Sequence, residues 1–157
     1  MHMADALISP AVGATMWAAG AVVTCYAAKK IDKDFPEQKI PLMGVLGAFV
    51  FAAQMINFAI PGTGSSGHLG GGMLLSILLG PHAGFLVMTS ILTIQALLFA
   101  DGGLLALGCN IFNLAVLPCY VAYPLIYRKI VGSSPSRIRI ATGVAFSVII
   151  GLQLGAL

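Results

Sequence analysis

The chain has 157 residues, of which 59% are hydrophobic and only 8% charged, and its net charge is +3. A soluble domain carries roughly 25% charged residues, so this composition excludes a water-covered globule and makes lipid the solvent for much of the surface. The length allows one compact bundle, a single domain over residues 1–157, and leaves no room for a separate soluble catalytic domain.

The start, Met1-His2-Met3-Ala4-Asp5, lacks the basic region that opens a secretory signal, so it is expected to stay on the chain. Apolar residues begin at Met3 and continue with Ala6, Leu7 and Ile8. Residues 10–28 read as a first helix, ended by a polar loop from Lys29 to Lys39, and residues 41–60 as a second. The Gly- and Ser-rich segment from Pro61 to Gly72 reads as a loop, and residues 73–80 as a short apolar run closed by Gly80-Pro81. Residues 83–100 form a further helix, Asp101-Gly102-Gly103 a turn, residues 104–127 a long helix, and residues 140–157 a last apolar segment after a basic loop. The expected fold is all-α, a polytopic transmembrane bundle of about six membrane segments, one of them short.

Charge sets the expected orientation. All eight Lys and Arg residues fall in two clusters, Lys29, Lys30, Lys33 and Lys39, then Arg128, Lys129, Arg137 and Arg139. Basic loops face the cytoplasm, so both clusters belong on one side and an even number of crossings must separate them. Counting 41–60, 69–80, 83–100 and 104–127 as crossings satisfies this, whereas a re-entrant 69–80 does not. A short or partly irregular crossing, buried within protein, is therefore expected there. The chain then lies in the inner or plasma membrane with its N-terminus outside. His2, Asp5, His68 and Asp101 gather at the outer face and His82 lies toward the inner one. The positive charge is a topology signal of the loops, and no nucleic-acid partner is expected. Asp32, Asp34 and Glu37, interleaved with lysines, read as a solvated loop.

His2 carries the chemistry. An N-terminal amine followed by histidine offers three nitrogens from two residues: the amine of Met1, the deprotonated amide of His2 and its imidazole. They close two fused, flat chelate rings that suit metals accepting square-planar nitrogen sites, Ni(II) or Cu(II) first. His68, in the other outward loop, would fill the remaining equatorial position. A histidine at position 2 is commonly just part of a loose tail, but here apolar residues follow at once, and a buried amine and imidazole need partners. Asp5 and Asp101 are candidates to orient imidazoles or bond backbone amides, although Asp5 could equally cap the first helix. Ser65 and Ser66 are candidate donors near the loop. Gln95, Asn110 and Asn113 either support the outer site or, with Asn57, bond helix to helix. The glycines around His68 lack the Gly-Lys-Ser/Thr ending of a nucleotide loop and read as permitting close backbone approach. His82 after Gly80-Pro81 reads as a capping or interfacial residue. Cys25, Cys109 and Cys119, odd in number and without Cys-x-x-Cys spacing, read as small apolar membrane residues.

On these residues the chain resembles the substrate-binding membrane component of cobalt and nickel energy-coupling-factor transporters. The matching segments are Met1-His2 with Asp5, the block from Asn57 through His68 to Gly72, Gly80-Pro81, and the run from Gln95 through Asp101-Gly102-Gly103 to Asn110 and Asn113. The resemblance implies metal binding by the Met1 amine, the His2 amide and imidazole, and His68. Nickel or cobalt would be the transported substrate, destined for cobalamin synthesis or nickel enzymes, with no resident cofactor. It also implies a transmembrane coupling protein and two ATP-binding subunits as partners. Family members continue with at least one more helix and an inner C-terminus, which this chain, ending at Leu157, is expected to lack. Ala14-x-x-x-Ala18 and Gly44-x-x-x-Ala48-x-x-x-Ala52 are candidate contacts for the coupling protein or for packing inside the bundle. An enzyme is not expected: there is no His-Glu-x-x-His, and four protein nitrogens leave no open position for a reacting water. A stand-alone channel or secondary carrier is the remaining alternative.

Overall fold

The structure, a computed structural model, describes residues 3–34, 36–61, 65–132 and 135–154. A 3₁₀ turn, Asp5–Leu7, leads into α1, Pro10–Asp34. A second such turn, Glu37–Lys39, leads into α2, Ile40–Gln54. Strands β1, Phe58–Ile60, and β2, Ser65–Gly67, pair antiparallel with Phe58 opposite Gly67. Then come α3, Gly72–Leu79, and α4, Pro81–Leu98. A continuous helical stretch begins with α5, Leu107–Ile111, widens into a π-helix over Phe112–Tyr127 and closes with α6, Arg128–Val131. The last helix is α7, Arg137–Leu154. The expected helical bundle is present, with its helical segments in the predicted order and α3 as the short one.

The differences from the sequence reading have local causes. α1 runs past residue 28 to Asp34 because the Lys and Asp residues that follow do not by themselves break a helix. α2 stops at Gln54 rather than 60, since Phe58–Ile60 pairs with Ser65–Gly67 and the supposed loop is largely a hairpin. Asn57, expected within the membrane, lies exposed in the connection leading to it. Asp5 does not cap α1. Ser9 does, its Oγ accepting from the Val12 amide at 3.4 Å, with Pro10 at the first helical position, where its missing N–H costs nothing. The π-helix holds Pro118 and Pro124. In an α-helix each ring would press on the carbonyl four residues earlier, and the wider turn moves those carbonyls aside.

Among the described residues three helices are long and apolar enough to cross a membrane: Pro10–Ile31, Pro81–Leu98 and Leu107–Val131. Large apolar side chains remain exposed along them and on α7, among them Val22, Leu97, Leu125 and Phe146, which is the surface a lipid solvent requires. Between such helices lipid supplies no hydrophobic drive, so close packing must hold them. α4 is the central element, placing Phe85, Met88 and Leu92 fully out of contact with solvent against Leu75 of α3 and Leu107 of α5. α3 and α4 form a tight pair because Gly84 lies against the backbone of Leu75 and Ser76.

α3 alone rises only about 12 Å. The residues just before it extend the run. Gly70 is tied through the Gln54 side chain to Gln95, about 21 Å along α4 from Pro81. Gly71 and Gly72 are buried, so this irregular backbone is enclosed by protein.

Candidate functional site

Two segments that the sequence singled out converge at the end of the bundle where α4 finishes. The first is the N-terminal segment. The Met3 amide donates to Asn110 Oδ1 at 2.8 Å, and Asn110 Nδ2 donates back to the Met3 carbonyl at 3.4 Å. That carbonyl also accepts from the Gly103 amide at 3.1 Å. Asn113 Nδ2 lies 3.9 Å from the Met3 sulfur. Two residues on, Asp5 Oδ1 accepts from the Ala106 amide at 2.9 Å. One turn of α5 and the turn before it therefore seat residues 3 to 5, much as a paired strand would. Ile8 packs with Ala106 and Cys109 just below, and the Trp17 indole donates to the Leu104 carbonyl at 2.8 Å.

Asn110 is 3% exposed, so its two bonds to Met3 have little competition from water. Asn110→Leu keeps the volume and removes both. It is expected to cost about 1–3 kcal/mol, chiefly the penalty of leaving the Met3 amide without its partner, and to speed hydrogen–deuterium exchange selectively in residues 3–8.

The second segment is the strand end and loop carrying His68. His68 is 7% exposed, and its Nδ1 lies 2.9 Å from the Leu69 carbonyl oxygen. A carbonyl can only accept, so Nδ1 carries a proton, and in the neutral ring the lone pair is then on Nε2. This is the tautomer of an imidazole able to bind a metal through Nε2. Gly71, at φ +80°, turns the loop toward α3, as the glycine-rich sequence led one to expect. Gln54 Nε2 donates to the Gly70 carbonyl at 2.9 Å and Gln95 Nε2 to Gln54 Oε1 at 2.9 Å. Gln54 escaped the sequence reading, although the signal that singled out Gln95, an amide inside an apolar helix, applies to it equally.

Met3 from the first segment with its partner Asn113, and Leu69 and Gly70 from the second, line one cavity of ≈ 700 Å³, which continues between α3 and α7. The two segments thus share a wall.

The remaining candidates distribute as follows. The Asp101 amide donates to the Gln95 carbonyl at 3.1 Å, closing the end of α4, and the residue is half-buried. Ser65 and Ser66 pair through their backbones in β2. Met1 and His2 lie outside the described residues. Among the described residues no group of three or more His, Cys, Asp or Glu side chains is arranged to hold a metal. His82, near the opposite end of α4, has its Nδ1 3.0 Å from the Tyr120 hydroxyl and packs edge-on against Tyr26. It sits among aromatic side chains at the end of α4 away from His68. The three cysteines are free thiols, two of them buried among apolar side chains.

Comparison with known proteins agrees with this architecture. A solved structure of a truncated transition metal transporter superposes with a TM-score of 0.86 at 40% identity, covering 100% of this chain and 71% of that one. A fused nickel transport protein, NikMN, from Rhodobacter capsulatus is 38% identical over 78% of this chain and 35% of its own length. A cobalt transport protein, CbiM 1, from Pelobacter propionicus is 39% identical over 78% of this chain and 54% of its own length. The chain thus spans about half or less of these two metal transport proteins. The family described as the cobalt uptake substrate-specific transmembrane region matches residues 2–157, and the chain belongs to that family.

Proposed function

We propose that this chain captures Ni(II) or Co(II) at the outer face of the membrane, as the substrate-binding component of an ATP-driven uptake transporter. The ligands are the Met1 amine, the deprotonated amide and imidazole of His2, and Nε2 of His68, four nitrogens in one plane. The observation that carries the reading is the hydrogen bond from His68 Nδ1 to the Leu69 carbonyl, which favours the tautomer that binds a metal through Nε2. The seating of Met3 on Asn110 supports it. Two further residues span at most about 7 Å, and Met3 already shares a cavity with the neighbour of His68.

Placing both basic clusters on the cytoplasmic side puts the site outside. The energy comes from a transmembrane coupling protein and two ATP-binding subunits. Metal-induced closure of the N-terminal segment over the His68 loop precedes reorientation against the coupling protein. Ala14, Ala18, Gly44, Ala48 and Ala52 are all exposed rather than used for packing inside the bundle, which favours them as contacts for that partner.

The chelate has a direct test. Acetylating the N-terminal amine of the purified protein removes one ligand and blocks the ring closure that favours amide deprotonation. Calorimetry is expected to show nickel affinity falling at least about tenfold. Tight binding unaffected by acetylation would refute the chelate.

A further inference from the structure

Among the polar groups that transport does not immediately explain, the buried amide pair Gln54 and Gln95 is the best determined. Both are fully buried, Gln54 at the end of the otherwise apolar α2 and Gln95 on α4. Their orientation follows from chemistry. The Gly70 carbonyl can only accept, so the Gln54 amide nitrogen must face it, at 2.9 Å. Gln54 Oε1 is then left to accept, so the Gln95 nitrogen faces Gln54, again at 2.9 Å. The relay runs one way, from α4 through α2 to a carbonyl two residues beyond His68. It ends behind in Gln95 Oε1, a buried acceptor that finds no donor among the described residues.

Ordinary helix-to-helix bonding does not need this direction or this unmet acceptor. Two glutamines joining α2 to α4 could satisfy each other reciprocally. Here the short bond from Gln54 goes to the loop carbonyl, at 2.9 Å, while its amide nitrogen meets α4 only through the Met88 sulfur at 3.8 Å. Gly71, the next residue, packs against Val50, one turn before Gln54, so the same stretch of α2 holds the loop by contact as well. The backbone of the other side is equally involved, because the Gln95 carbonyl accepts the amides of Phe99 and Asp101 and so fixes the end of α4.

We infer that Gln54 and Gln95 are positioning residues for metal capture: their amide relay fixes the Gly70 carbonyl and thereby the place of the His68 imidazole. The inference rests on the reading of His68 as a ligand. Buried outer partners of this kind typically govern tenfold to hundredfold in metal affinity when they orient a ligand.

The experiment compares nickel binding by calorimetry, and the visible absorption band of bound Ni(II), in purified full-length protein carrying Gln54→Met, Gln95→Met, both together, or His68→Ala. Methionine preserves the unbranched volume and removes the amide. Gln54→Met is expected to weaken nickel binding roughly tenfold or more, Gln95→Met less, and the double variant no more than Gln54→Met, since Gln95 acts through Gln54. The nickel band should shift in Gln54→Met, a change that a merely loosened bundle would not produce. Thermal melting of the metal-free proteins identifies any variant that has lost its fold, and Gln54→Asn, which keeps the donor but shortens its reach, then supplies the comparison. If His68→Ala abolishes binding while Gln54→Met and Gln54→Asn bind as tightly as the unaltered protein with the same band, the relay is helix glue and the inference is overturned. If His68→Ala itself leaves binding intact, the failure lies in the ligand assignment. Additive losses in the double variant would likewise refute the relay.

Discussion

His68→Ala is expected to weaken nickel binding by more than about a hundredfold, the upper end of what losing an outer partner alone costs. The reason is geometric. A flat chelate from two adjacent residues supplies three nitrogens and cannot supply a fourth, so the opposing imidazole decides whether the plane is complete. Its neighbour Leu69 holds the ring by Nδ1, and the enclosure of the ring limits replacement by water. His82→Ala is the matched control. That histidine bonds Tyr120 near the other end of α4 and should leave affinity unchanged. Calorimetry of the two variants side by side separates loss of a ligand from loss of a histidine. Equal affinities in His68→Ala and the unaltered protein would end the four-nitrogen reading.

The second large effect concerns the scaffold. Gly108→Val is expected to destabilise the protein by about 3 kcal/mol or more, at the severe end for overpacking. A Cβ at position 108 would stand 2.5 Å from the Met16 carbonyl carbon and from the Trp17 nitrogen. Both are backbone atoms of α1, so no rotamer change relieves the clash and the helices must part. α1 would then lose its fit to α5, two residues from the Asn110 seat of Met3. Gly44→Ala provides the contrast, because nothing lies within 4 Å of its added methyl. Thermal unfolding followed by size-exclusion chromatography should show a marked loss for Gly108→Val and almost none for Gly44→Ala.

Much of this architecture was legible in the chain itself. Apolar runs long enough to matter in lipid give α1, α4 and the long helix from residue 107 within a few positions, because the membrane forces a simple answer on them. Gly80-Pro81 separates α3 from α4 where the punctuation places it. What composition could not reveal depends on partners distant in sequence. β1 ends up as a strand because Ser65–Gly67 is there to pair with it, and Phe58 and Ile60 alone read as more helix. The π-helix answers to the spacing of two prolines against carbonyls, which a period-based reading averages away. Asp5 looks like a helix cap until Ala106, 101 residues later, claims its carboxylate. Asn110 and Asn113 were recognisable as polar residues with a purpose, but that they hold Met3 follows only from the packing of α5 against the start of the chain.

That seat has a consequence for how the molecule is made. Met3 precedes the Asn110 that seats it by 107 positions in the chain. At about 5–20 residues per second, the leading segment waits on the order of 5–20 s before its anchor exists. During that interval it stands without the contacts that seat it, so the assembly of this mouth awaits the completion of α5.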